Sequence, residues 1–338
     1  MKVRSLIAGT AALAALLIVP AAAPGSTAFT LRVEAPGQTL DPGTRYVPRD
    51  PIAALRGQTQ AGGNCIRGAG AISVGGRTAL GLLASAANAN KSLQPLWVVE
   101  DSFGRRVCRV AGFNETDVPF SGWLYRVNNA APPVSGELAP VGKGDEVLWV
   151  FADFGGGANT GDELVLEAPV RATPGVVRVD VNAVTFDGKV APAPDGTVVT
   201  GGTAAATTTG GAAMVPVGLG DTTLRATGAG ASPTEIPSRP LSLCVAPRLA
   251  DCSAARGQTI VGTDLADNLK GGGGPDVVRT RGGKDKVRVR GGGADRVDCG
   301  KGRDVVIVDP GDRIKRCERV KRAGKGRNKK GRRKAGRR

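Results

Sequence analysis

Over residues 262–316 the apolar positions recur with a period of about nine. Leu269, Val278, Val287, Val297, Val306 and Ile314 each stand two residues after an aspartate: Asp267, Asp276, Asp285, Asp295, Asp304 and Asp312. The aspartates are 9, 9, 10, 9 and 8 residues apart. A fixed period of this kind predicts a parallel β-roll, in which Gly/Asp turns join short strands and each strand lends one apolar side chain to a narrow core.

Upstream the period falls to two. Leu31 and Val33 alternate with polar neighbours and predict a strand ended by Pro36-Gly37, and residues 47–50 read as irregular. The neighbourhood of Cys65 reads as turn-rich. Over residues 78–90 the spacing becomes helical, with Thr78 as N-cap and Leu80, Leu83 and Ala87 on one face. Strands follow over 96–100, 106–110, 122–127 and 146–151. One helix among about five strands predicts a compact α+β domain of the β-grasp type. From Leu164 onward Val177, Val179 and Val181 share a face, and β segments recur about every ten residues, as in a β-sandwich. The Thr/Ala-rich stretch within that region also fits a disordered stalk. The fold class expected is mainly β and multidomain.

Six cysteines form three local groups, Cys65 with Cys108, Cys244 with Cys252, and Cys299 with Cys317. Those local pairs are the disulfides expected, contributing about 4, 2.6 and 3 kcal/mol by loop closure. Oxidised cysteines accord with the first residues, where Lys2 and Arg4 precede an apolar run over 6–19 and a small-residue site. That is the pattern of an export signal over residues 1–28, cleaved after Ala28 or Ala23. The chain then divides into 29–155, a linker over 156–161, a sandwich over 162–252, a roll over 256–318 and a disordered basic tail over 319–338.

Charge and composition narrow the chemistry. The formal net charge is +16, of which the tail carries twelve Lys or Arg with no acid and the signal another two. The body is therefore near neutral. Histidine is absent, which removes Ser-His-Asp triads, Cys-His nucleophiles and His-ligated zinc. No nucleophile elbow, phosphate loop or zinc spacing is present, and the chain reads as a non-enzyme.

Three resemblances follow from these residues. Gly271-Gly272-Gly273-Gly274-Pro275-Asp276-Val277-Val278-Arg279 fits the nonapeptide of haemolysin-type (RTX) calcium-binding repeats, which the roll resembles over about 55 residues. The resemblance implies calcium held by Asp267, Asp276 and Asp285 with Gly271, Gly272 and Gly274. Lys284, Lys286, Arg296 and Arg303 flank the aspartates, and thirteen Lys or Arg stand against nine Asp over 262–317. Ion pairs from Arg and Lys across neighbouring turns are the alternative to calcium. Residues 29–155, with Thr78-Ala79, Gly122-Trp123-Leu124-Tyr125-Arg126-Val127-Asn128 and Gly144-Asp145-Glu146-Val147, resemble the transcobalamin C-terminal-like domain of unknown function. That likeness implies a β-grasp fold and, by analogy with cobalamin carriers, a ligand near Trp123, Tyr125 and Asn128. The other reading of the tryptophans is a packed core. The sandwich resembles bacterial immunoglobulin-like surface modules.

The function expected is a secreted or cell-surface bacterial binding or adhesion protein, held on the anionic envelope by its tail. A soluble carrier of a corrinoid-like or other small ligand is the alternative. Lys321, Arg322, Lys325, Arg327, Lys329, Lys330, Arg332, Arg333, Lys334, Arg337 and Arg338 would contact anionic envelope polymers or lipid headgroups. Sequence-specific nucleic-acid binding is not expected, because the tail has no reading element and no stacking aromatic.

Overall fold

The computed structural model describes residues 27–59, 65–102, 104–230 and 234–322. Residues 1–26 of the expected signal, and the tail from residue 323, lie outside them. Of the described residues 49% are strand and 6% helix, so the fold is mainly β.

The first module consists of β1 (Phe29–Ala35), β2 (Gln38–Tyr46), β3 (Ile52–Thr59), β4 (Cys65–Val74), α1 (Ala79–Ala89), β5 (Leu96–Asp101), β6 (Gly104–Val110), β7 (Phe113–Asn114), β8 (Ser121–Val127) and β9 (Glu146–Asp153). One sheet has the order β2-β1-β9-β8, with antiparallel hairpins at each side and β1 parallel to β9 at the centre. That is the β-grasp arrangement. A second sheet, ordered β4-β3-β5-β6-β7, covers the other side of α1. Thr78 caps α1, accepting from the Gly81 amide at 3.0 Å. The helix was expected to bury one face, yet every residue from Ala79 to Ala87 is buried, because both sheets pack on it. The second sheet also corrects the turn-rich reading around Cys65. In β4 only Cys65, Ile72 and Val74 point inward, and the intervening Gly and Ala residues blur the alternation.

The sandwich pairs Gly175–Val184 with Glu163–Glu167, Val190–Pro192 and Ala212–Val217 in one sheet. The facing sheet runs Arg171–Ala172, Leu241–Val245, Gly220–Thr227, Val198–Thr200, Ala206–Thr207. Val177, Val179 and Val181 do share the core face, against Val215, Leu224 and Leu243. The region is therefore ordered, not a stalk. The expected linker is docked: Asn159 is buried and donates to the Phe151 carbonyl at 3.0 Å, and the Gly161 amide donates to Thr234 O at 2.8 Å.

The alternation along β1 explains how the two modules join. Leu31 and Val33 face α1, while Arg32 and Glu34 face the sandwich and are just as buried. Arg32 meets Glu163 at 2.6 Å, Glu34 meets Arg225 at 2.8 Å, and Glu146 meets Arg239 at 2.8 Å. Arg126 donates to the Val184 carbonyl at 3.0 Å. These polar positions form a buried ionic seam, with Leu124, Leu148, Val150 and Ile236 as its apolar part.

The roll is a continuation of the first module. Thr259–Val261 pairs in parallel with β2, Ile260 opposite Arg45, so one sheet of eight strands runs from β8 through β2 into the roll. Ile260, Val278, Val297 and Ile314 stack in that sheet, and Leu269, Val287, Val306 and Val320 stack in the opposing one. Arg319–Arg322, expected to belong to a disordered tail, is the last rung, paired in register with Val305–Val308. The three expected disulfides are present: Cys65–Cys108, Cys244–Cys252 and Cys299–Cys317.

Candidate functional sites in the roll and the aromatic cleft

All six repeat aspartates point into the roll and are buried. Five of them, Asp276, Asp285, Asp295, Asp304 and Asp312, each accept a backbone amide from the turn one full coil earlier, forming two ladders. On one side Asp285 Oδ1 takes the Asp267 N–H, Asp304 Oδ1 takes the Asp285 N–H, and Glu318 Oε2 takes the Asp304 N–H, all at 2.8 Å. On the other Asp276, Asp295 and Asp312 take the amides of Gln258, Asp276 and Asp295 at 2.9, 2.8 and 3.0 Å. The expected pairing of these carboxylates with Arg and Lys is therefore corrected. Among the described residues, such pairs are seen at aspartates outside the ladders: Asp264 with Arg281 at 3.0 Å, Asp298 with Arg316 at 2.7 Å, and Asp309 with Arg290 at 3.9 Å.

For the first five aspartates the second oxygen depends on the residue five places before it, whereas Asp312 Oδ2 accepts the Asp309 amide at 2.6 Å. Before Asp267 and Asp276 that residue is glycine, and the next amide reaches the acid: Thr263 N to Asp267 Oδ2 at 2.7 Å, Gly272 N to Asp276 Oδ2 at 2.6 Å. A Cβ on Gly271 would lie 2.3 Å from Asp276 Oδ2. Before Asp285, Asp295 and Asp304 the residue is Thr280, Arg290 or Cys299, and the buried Oδ2 has no hydrogen-bond partner. Burial pushes Asp285 and Asp295 up to about 6, with neighbouring ladder carboxylates adding to the effect, and it raises Asp276 and Asp304 as well.

The Asp267 and Asp276 turns do not fit calcium. Ca²⁺ takes six to eight oxygens, whereas both Asp276 oxygens face N–H donors and Asp267 Oδ2 accepts both the amide and the hydroxyl of Thr263. Gly271, Gly272 and Gly274 are pressed against Asp276, Gln258 and the Arg256 backbone respectively, which accounts for their missing side chains by close packing. Among the described residues no three His, Cys, Asp or Glu side chains form a cation cluster.

Folding thereby sorts the charge of the roll. Thirteen Lys or Arg and nine Asp lie within 262–317. Six of the nine acids are inside and the other three are paired, while the cations line the surface.

The second site is a cleft of about 230 Å³ where the first module meets the sandwich. Trp123 and Tyr125 on β8, Trp149 on β9, Ser135 and Gly136 of the intervening loop, and Phe186 of the sandwich line it. Tyr125 stacks on Trp149 with ring centroids 5.1 Å apart, and Trp123 meets Phe151 edge-on at 5.3 Å. The indole N–H groups are satisfied inside, Trp123 by Phe113 O at 3.2 Å and Trp149 by Ala79 O at 3.1 Å. Both indoles are buried, so they belong to the core and show the cleft only their edges. Tyr125 is half-buried, its hydroxyl donates to Val134 O at 2.5 Å, and burial raises its phenol pKa. Arg105 at the rim meets Glu100 and Glu137, and Arg106 meets Glu115, so the cleft has little net charge. Asn128 is not part of it. With φ at 51°, Asn128 shapes the turn after β8, donating to Asp145 Oδ1 at 2.8 Å and accepting from the Glu146 amide at 3.0 Å. Phe186, 58% exposed, completes the wall from another module, and no spacing in the sequence couples it to Tyr125.

Of the expected polyanion-binding residues, Lys321 and Arg322 are exposed on the last rung of the roll, and those from Lys325 onward lie outside the described residues. No helix among the described residues is long and apolar enough to cross a membrane. Compared with known proteins, the chain matches no protein-family model, no curated protein and no solved structure.

Proposed function

We propose that this is an exported, non-enzymatic binding protein of the bacterial surface or extracellular matrix, held on anionic polymers of the envelope by its basic C-terminus. The observation that carries this reading is the separation of charge in the roll, with ladder acids inside and cations outside on the element that leads into the basic tail. Three disulfides accord with an oxidising compartment. The continuous sheet and the ionic seam make the three modules one stiff body, suited to presenting the N-terminal module at a distance from its anchor.

Binding by that module is assigned to the cleft at Tyr125 and Phe186. Its volume suits a single ring of low charge, and a corrin macrocycle is too large to enter it. Two measurements test the reading. Envelope fractions should release the full-length protein with rising salt and should not retain a chain ending at Arg322 to the same degree; retention independent of both salt and tail would refute the anchor. Tryptophan fluorescence should shift on titration with small neutral ring compounds, and a Phe186→Ser chain should lose the shift. A panel that leaves the emission unchanged would remove the cleft from the account.

A further inference from the structure

The tail is a run of cations in the sequence, and the roll carries a folded counterpart. The sheet formed by Asn268–Lys270, Lys286–Arg288, Val305–Val308 and Arg319–Arg322 is parallel and in register. The central residue of each rung points inward, so its two neighbours point outward. The outward columns are Asn268, Lys286, Val305, Arg319 and Lys270, Arg288, Ile307, Lys321. Five of these eight positions are cations, none is an acid, and all five cations are exposed. The acids that balance them in composition are the ladder aspartates beneath the sheet. The opposing sheet is different, because Asp298 interrupts its outer face and pairs with Arg316.

We infer that this sheet is a polyanion-binding face, built for a flexible linear polymer with closely spaced negative groups, such as a phosphodiester chain. Rungs about 4.8 Å apart and outward neighbours about 6.6 Å apart along a rung place the cations on a flat lattice over four strands. That lattice matches an extended chain laid across the rungs. A duplex, whose phosphates lie on a convex cylinder, would touch only its middle. Single-stranded nucleic acid is disfavoured because residues 256–322 contain no aromatic on which a base could stack. In the sequence the last rung is followed by nine further Lys or Arg over 323–338. This deepens the envelope-anchor reading and rests on it.

The test uses the full chain and long-chain inorganic polyphosphate, with affinity measured across a salt series. Three exposed cations of the sheet are neutralised together (Lys270→Gln, Lys286→Gln, Arg288→Gln). A control of equal charge alters the opposing sheet (Arg279→Gln, Arg296→Gln, Arg313→Gln), and circular dichroism checks that both remain folded. Each lost contact should lower the slope of log K against log salt by about 0.7, so the first variant should lose about 2 and the control close to none. Equal losses in both variants would show that only net charge matters and would overturn the inference. No loss in either would assign binding to the tail alone, overturning this inference while leaving the anchor reading in place. Failure of the unaltered protein to bind at low salt would overturn the anchor reading itself. Tighter binding to anionic lipid vesicles than to the polymer would replace a linear partner with a membrane and would also refute the inference.

Discussion

Replacing Asp285 by asparagine separates the two halves of the ladder argument. Asp285 Oδ1 accepts the Asp267 amide, and Oδ2 is buried without a partner. Its pKa is pushed from 3.8 to about 6, first by burial and then by Asp304 and Asp267. The folded state thus binds the proton more tightly than the unfolded chain does. The associated stability is fully present below about 3.8 and is lost as pH rises through about 6. A shift of this size corresponds to up to about 3 kcal/mol at 1.36 kcal/mol per pH unit, reduced to about 1–2 kcal/mol by water reaching the turn. Asp285→Asn keeps the acceptor and removes the buried charge, so it should stabilise the roll by about 1–2 kcal/mol at pH 7.5 and by almost nothing at pH 4. Asp276→Asn should do the reverse at pH 7.5. Both Asp276 oxygens accept amides, and an NH₂ facing an N–H costs about 1–3 kcal/mol. The assay is hydrogen exchange of roll peptides in the full chain, converted to opening free energies at each pH with intrinsic rates removed. A loss above about 1 kcal/mol for Asp285→Asn at pH 7.5 would refute the reasoning, as would protection in the native sequence that rises from pH 4 to 6.

Other consequences can be checked separately. Gly271→Ala should destabilise the roll by about 2 kcal/mol or more in chemical unfolding, because the new Cβ would sit 2.3 Å from Asp276 Oδ2 and 2.8 Å from Val289. Glu163→Gln removes the charge that Arg32 meets at 2.6 Å but leaves Glu34 at 3.6 Å and Glu146 at 3.9 Å, so it should cost about 1–3 kcal/mol, read as a lower thermal midpoint; an unchanged midpoint would show that the seam does not hold the modules together. Cys299→Ser with Cys317→Ser should cost about 3 kcal/mol and expose the last rungs to exchange first. Ala28 is buried with Val47 and Ile260, and its carbonyl accepts from Arg45 at 3.1 Å, so the exported protein should retain it; an intact mass that begins at Phe29 would contradict that packing.

Legibility in the sequence followed the periodicity. Period nine fixed the rungs of the roll, and period two fixed Val177, Val179 and Val181 in the sandwich core. Cysteine proximity was enough for three correct pairs, because each pair closes within one module or at its exit. The local pattern stopped short where a polar position lies between two modules. Arg32 and Glu34 have the alternation of an exposed edge, but a second module covers them, and no local pattern reports that. The ladder aspartates were assigned to cations because the nonapeptide carries that association. Their partner is the backbone of the preceding coil, which a one-dimensional spacing cannot distinguish from a metal. The cleft was half legible: Tyr125 lines it, Trp123 contributes mainly to the core, Asn128 builds the adjacent turn, and Phe186 arrives from another module.

The central claim is that the roll turns its acids toward amides and its cations toward solvent. Calorimetric titration of the full-length protein with Ca²⁺ at neutral pH tests it most directly. No saturable heat is expected, and no change in protection of the peptides carrying Asp267, Asp276 and Asp285. Stoichiometric binding that protects those same turns would contradict it.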